Sequence, residues 1–210
     1  YSIVYNAVDL EKFTDKGSPV LPDSPQQIVV IEGSLGGGYG FALENSLALV
    51  KQLRERFGLD VELKVVGNVP SALQQQAKEE FDFNITFTGK VPHEDIPEID
   101  RNAHLKFSAE INGACPNSVI EAMACGCPVV GFDTGAIREL VLEGAGAHVP
   151  YGGDEWNLEA PDIDSLAAVT VAVLENNQAY REGARRVAVE HFGLDLMVKK
   201  YLQVLIPEEK

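Results

Sequence analysis

The segment INGACPNSVIEAMACGCPVV, residues 111–130, brings small residues, a proline and an asparagine to the mouth of a short helix that carries one acid, Glu121. Pro116 holds Cys115 in an extended conformation, and Asn117 or Ser118 is placed to serve as N-cap. Unpaired N–H groups in the first turn, residues 118–121, would then face the space before the helix. Such a mouth attracts a diphosphate through its dipole and its donors together. Gly113 and Ala114 leave the approach free of bulk.

Glu121 has two readings. SVIE is a capping-box pattern, with Ser118 followed three residues later by the glutamate, so in one reading Glu121 closes its own helix. Alternatively its carboxylate accepts hydrogen bonds from the paired hydroxyls of a sugar, as acids in nucleotide pockets do. Spacing by itself favours the cap. The helix is predicted to stop at Gly126, with Pro128 soon after.

A second candidate is GSLGGGYG, residues 33–40, between a predicted strand and a predicted helix. Gly36, Gly37 and Gly38 would let backbone N–H groups approach a phosphate closely; the competing reading is a plain surface turn. The dinucleotide pattern fails, because Phe41 stands where its third glycine belongs and the second strand ends VVGN without an acid. No Lys-Ser/Thr of a P-loop follows. Cys125 and Cys127 are expected to pack as small residues rather than hold a metal or a redox couple. His93 and His104 have no acid at a recognisable spacing, so each is expected to be solvated or satisfied. No nucleophile triad and no metal cluster can be assembled, and no cofactor is expected.

These groups must be positioned by a scaffold, and the pattern supplies one. Apolar runs at 28–32, 61–67, 84–89, 104–109, 128–132 and 146–150 read as six strands. Helical spacing fills 41–57, with Leu43, Leu47, Val50 and Leu53 on one face. Further helices are expected at 70–81, 91–103 in short turns, 118–125, 135–143, 162–176, 178–191 and 194–205. Strands alternating with helices imply right-handed crossovers and a parallel sheet covered on both faces, an α/β Rossmann-like fold. Ligands of such sheets sit beyond the carboxyl ends of the strands. YSIVY, residues 1–5, reads as a strand entering from elsewhere, residues 6–13 as turn-like, and residues 14–27 as a Pro/Gly/Ser-rich connector. The apolar face of the last helix, with Leu196, Val198, Tyr201, Leu202 and Leu205, must cover something.

The 210 residues carry a net charge of −15, which disfavours nucleic acid and anionic membranes as partners. No apolar run is long enough to span a bilayer. Three cysteines cannot make a disulfide framework, so a cytoplasmic location is expected.

Four segments in order, IVYNAVDLEKF, ITFTGKVPHEDIPEI, CPNSVIEAMACGCPVVGFDTGAIRELV and HFGLDLMVKKYLQVL, resemble the carboxyl-terminal half of GT-B glycosyltransferases of the retaining family-4 kind. The third is the most specific. The resemblance implies two facing Rossmann-like domains, of which this one holds a nucleotide-diphosphate sugar and the amino-terminal one the acceptor. It implies a division into residues 1–27 as hinge and connector, 28–192 as the donor-binding domain, and 193–210 as a helix crossing back to the acceptor domain.

It assigns Glu121 to the ribose hydroxyls, as the second glutamate of the family's E-x7-E motif. The loop Gly113, Ala114, Cys115, Pro116, Asn117, Ser118 would lie along the sugar and diphosphate, and Lys90 and Val91 would frame the base through their backbone. The first glutamate of the motif falls at Gly113, and Glu110 stands three positions early. The Arg and Lys that usually follow the first strand have no counterpart, leaving Lys90, Lys106 or Arg138 as the nearby cations. The implied activity is sugar transfer with retention; the alternative is a catalytically lapsed nucleotide-sugar-binding or interaction module.

Overall fold

A computed structural model describes residues 3–35 and 40–206. Six strands, β1 (Gln26–Ser34), β2 (Val61–Asn68), β3 (Ile85–Gly89), β4 (Leu105–Ser108), β5 (Val129–Phe132) and β6 (Gly146–Val149), form one sheet in the order β3-β2-β1-β4-β5-β6. Every neighbouring pair is parallel. The strand order reverses between β1 and β4, which makes the carboxyl ends of these two strands the natural ligand cleft.

Among the described residues eight helices accompany the strands: α1 (Gly40–Phe57), α2 (Ser71–Glu80), α3 (Ile96–Asn102), α4 (Asn117–Ala124), α5 (Ile137–Leu140), α6 (Ile163–Glu175), α7 (Asn177–His191) and α8 (Leu194–Leu205). The predicted face of α1 is buried, with Leu43, Leu47, Val50 and Leu53 all in the core. That core lies on one face of the sheet, where Ile28, Val30, Leu105, Phe107 and Val130 meet α1 and α6. On the other face, Val29 and Val129 pack against Val119, Ile120 and Met123 of α4 and Val187 of α7. Alternate strand residues thus feed two separate cores, as a sheet covered on both faces requires.

Helix α4 ends as its sequence indicates. The Gly126 N–H donates to the Met123 carbonyl and the Cys127 N–H to the Ala122 carbonyl, both at 2.9 Å, with Gly126 at φ 72°. This pair of bonds is the Schellman closure, and a left-handed residue makes it possible. Cys125 and Cys127 are fully buried, and burial pushes both thiols up, so neither supplies a thiolate.

Two expectations are corrected. Of the strand expected at residues 1–5, residues 1 and 2 lie outside the described residues and residues 3–5 form no strand; Val8 makes a single parallel bridge to Gly193 instead. Helix α5 is one turn, Ile137–Leu140, rather than 135–143, since the chain leaves the helix at Val141 to bury Val141 and Ala145.

The connector before β1 is tied down at two points. Arg185 of α7 donates to the carbonyls of Phe13 (2.9 Å), Ala124 (2.6 Å) and Leu10 (3.3 Å), so one guanidinium joins the connector to the end of α4. His104 accepts from the Gln27 N–H through Nδ1 (2.9 Å) and donates from Nε2 to the Pro22 carbonyl (2.8 Å). It is the satisfied histidine its sequence context suggests.

Both ring nitrogens are engaged in the neutral form, and burial lowers the pKa of His104 below its ordinary 6.5. The unfolded chain therefore binds more protons than the native one just below pH 6.5. Stability is accordingly full above that pH and is lost as pH falls through it. Urea midpoints measured from pH 8 to 5 are expected to drop more steeply for the natural chain than for His104→Gln. Parallel curves would refute this assignment.

Candidate functional site at the carboxyl ends of β1 and β4

Pro116 occupies the N-cap position of α4 in an extended conformation (φ −66°, ψ 112°), as a proline before a helix should. No side chain caps the first turn. The expected Ser118–Glu121 capping box is therefore not formed. The Val119 N–H is already taken by the Pro116 carbonyl at 3.1 Å, so the unpaired donors sit at Asn117 and Ser118 rather than throughout 118–121. Asn117 is exposed, Ser118 half-buried and Pro116 buried. The side chain of Asn6 reaches across the mouth, donating to Asn117 Oδ1 (2.9 Å) and to the Cys115 carbonyl (3.3 Å).

Gly113 is buried, and Ala114 beside it is exposed. The Gly113 carbonyl accepts from the Ala136 N–H at 2.9 Å, which ties the loop after β4 to the one after β5. Gly135, at φ 53°, makes that approach possible: a Cβ on it would lie 2.4 Å from the Gly113 carbonyl oxygen. Gly135→Ala must both strain a left-handed residue and push the Gly113 loop away. The expected loss is about 2–4 kcal/mol in urea unfolding, against about zero if the loop yields freely.

Glu110 folds its carboxylate over Gly113. A Cβ built on that glycine would stand 2.9 Å from Glu110 Cδ and Oε2, so a side chain at 113 and this placement of Glu110 exclude each other. Glu110 and Glu32 line a cavity of about 330 Å³ with Ser34, Phe41, Ile111 and Leu158. Burial raises the pKa of Glu32, the nearby Glu110 adds to the rise, and Lys106 opposes it. Lys106 itself is fully buried on β4 with no hydrogen-bond partner for Nζ, and the buried carboxylate of Asp100 likewise has none. Burial raises Asp100 to about 7 despite Lys106.

Glu121 makes no capping bond to its own helix start. His93 Nε2 donates to Glu121 Oε1 at 2.8 Å, and among the described residues Glu121 Oε2 has no hydrogen-bond partner. His93 was expected to stand without an acid, and this corrects that expectation. Its place directly beyond the carboxyl end of β3, in VPHE, was the available signal. Val91 packs on the core beneath α4, while Lys90 is exposed. Of the other cations considered, Arg138 is paired with Asp133. Gly36, Gly37 and Gly38 lie outside the described residues. Among the described residues there is no group of three acids, histidines or cysteines able to hold a metal ion, and no helix long and apolar enough to cross a membrane.

Residues 28–176 match the sequence profile of the glycosyl transferases group 1. The chain belongs to that family. Its fold agrees with the GT-B structures that resemble it. The glycosyltransferase of Rickettsia africae superposes with a TM-score of 0.75 at 17% identity, over 99% of this chain and 58% of that one. Anabaena HepE in complex with UDP-glucose gives 0.72 at 18% identity, over 97% and 57%. Among curated proteins, phosphatidyl-myo-inositol mannosyltransferase of Mycolicibacterium smegmatis is 29% identical over 178 residues, 82% of this chain. The chain spans only 42% of that relative's length.

Proposed function

We propose that this chain is the donor-binding half of a glycosyltransferase that moves a sugar from a nucleotide-diphosphate donor to an acceptor held by an amino-terminal domain, with retention at the anomeric carbon. The observation that carries the reading is the uncapped start of α4, whose Asn117 and Ser118 amides stand beside a carboxylate with one oxygen free. The diphosphate lies against that helix mouth, Glu121 takes the ribose diol, and the backbone of Lys90 and Val91 borders the base. The sugar occupies the cavity between β1 and β4, where Glu110, folded over Gly113, presents a carboxylate to its hydroxyls.

Chemically, the site stabilises a leaving diphosphate by fixed donors and a helix dipole, without a proton being moved by this half. Helix α8 supports the two-domain reading: none of its residues is buried, and Leu194, Val198, Tyr201, Leu202 and Leu205 leave an apolar face for the acceptor domain. By itself, then, the chain binds donor and transfers nothing. Calorimetric titration with UDP, GDP and ADP is expected to give saturable binding of one nucleotide. Silence toward all three would overturn the reading. A lapsed binding module is the second reading, favoured by Gly113 in place of an acid and by the engagement of Arg138 with Asp133. It predicts nucleotide binding without transfer when the amino-terminal half is restored.

A further inference from the structure

Three elements converge on Glu121. The connector contributes Lys12, whose Nζ donates to His93 Nδ1 at 3.3 Å. The loop after β3 contributes His93, whose Nε2 lies 2.8 Å from Glu121 Oε1 on α4. Phe13, buried at 2% exposure, holds the imidazole from the side with ring centroids 5.3 Å apart. Lysine has only donors, so Nδ1 must accept and the imidazole proton must sit on Nε2. The acid is thereby given one committed oxygen and one free one.

We propose that His93 is a positioning residue for Glu121: locked by Lys12 into the Nε2–H tautomer, it occupies Oε1 and aims Oε2 at a ribose diol. This inference rests on the donor-binding reading above. The Glu121 side chain has three rotatable bonds, and the bond from His93 selects one arrangement among those its half-buried setting admits. Held by an imidazole on a buried aromatic ring, it meets the ligand already oriented, which is the usual way affinity is gained without a new ligand contact. Because His93 does not touch the nucleotide, its removal should act on ribose recognition and leave the diphosphate contacts in place.

The test compares the nucleoside diphosphate that binds with its 2′-deoxy counterpart, for the natural chain, His93→Phe and His93→Gln. Glutamine keeps an N–H donor near the place of Nε2; phenylalanine keeps only the ring. His93→Phe is expected to weaken the ribonucleotide about fivefold or more and to erase its advantage over the deoxynucleotide, and His93→Gln to restore most of both. A His93→Phe chain that retains the natural ribose preference overturns the proposal, although the donor-binding reading survives. If no nucleotide binds the natural chain, that reading has failed and the proposed ribose role fails with it. The imidazole lock is read separately from ¹⁵N shifts of the unliganded protein. These should show His93 as the Nε2–H tautomer, and to a lesser extent after Lys12→Met. A mixture of tautomers in the natural chain would refute the lock whatever the ligand does.

Discussion

Glu121→Ala is expected to weaken the bound nucleoside diphosphate by about ten- to a hundredfold while leaving the urea midpoint nearly unchanged. The two halves of this expectation have separate causes. A carboxylate accepting from ribose hydroxyls makes charge-assisted hydrogen bonds, each worth about 1.5–3 kcal/mol once formed away from bulk water. Its contact with His93 is a different matter. The histidine side chain is 61% exposed and the glutamate 15%, so the pair is open to solvent on the histidine side and contributes about 1 kcal/mol or less to folding. Had Glu121 closed a capping box, the substitution would instead cost folding about 1 kcal/mol and nothing in binding. Isothermal titration and urea unfolding of the same two proteins separate the cases. A loss confined to stability would return Glu121 to the role its spacing alone suggests.

Gly183→Ala should destabilise the scaffold even though the residue lies within a helix. Gly183 lies inside α7, where alanine normally gains about 1 kcal/mol over glycine through helix propensity. Here an added Cβ would stand 2.0 Å from the Gly144 carbonyl oxygen and 2.6 Å from its carbon, with backbone rather than a yielding side chain in the way. Overpacking of that kind costs about 1–3 kcal/mol and more where backbone must shift, so the clash outweighs the propensity gain. The loop at 144 leads directly into β6, so α7 and the sheet edge must separate to admit the methyl. Urea unfolding is expected to show a loss of at least about 2 kcal/mol. A gain would mean that the Gly144 loop moves aside without cost.

Much of this architecture is legible in the chain because local signals and burial agree. The spacing of Leu43, Leu47, Val50 and Leu53 gives both α1 and the face it buries, and Gly126 followed by Pro128 gives the end of α4. The entering strand at YSIVY is not obtained, since a strand exists only with a neighbour and apolar residues alone do not provide one. At the site, the small residues before α4 and the acid within it are legible as a ligand-binding corner. The partner of Glu121 is not, because His93 lies 28 residues away on a different loop and only the closing of the sheet brings the two together. The placement of Glu110 is hidden for a related reason. Spacing counts positions along the chain, whereas a flexible carboxylate can fold back over a glycine three residues on. Sequence pattern reads regular backbone well and reads contacts between loops poorly.

The claim on which the whole account depends is that the start of α4 holds a nucleotide's diphosphate. Amide chemical shifts followed through a titration with the nucleoside diphosphate that binds address it residue by residue. The account predicts the largest movements at Asn117 and Ser118, smaller ones at Lys90 and Val91, and none around His104 and Arg181 at the opposite end of the sheet. Shifts gathered instead in the cavity lined by Asp15, His104 and Arg181, with Asn117 and Ser118 unmoved, would contradict it.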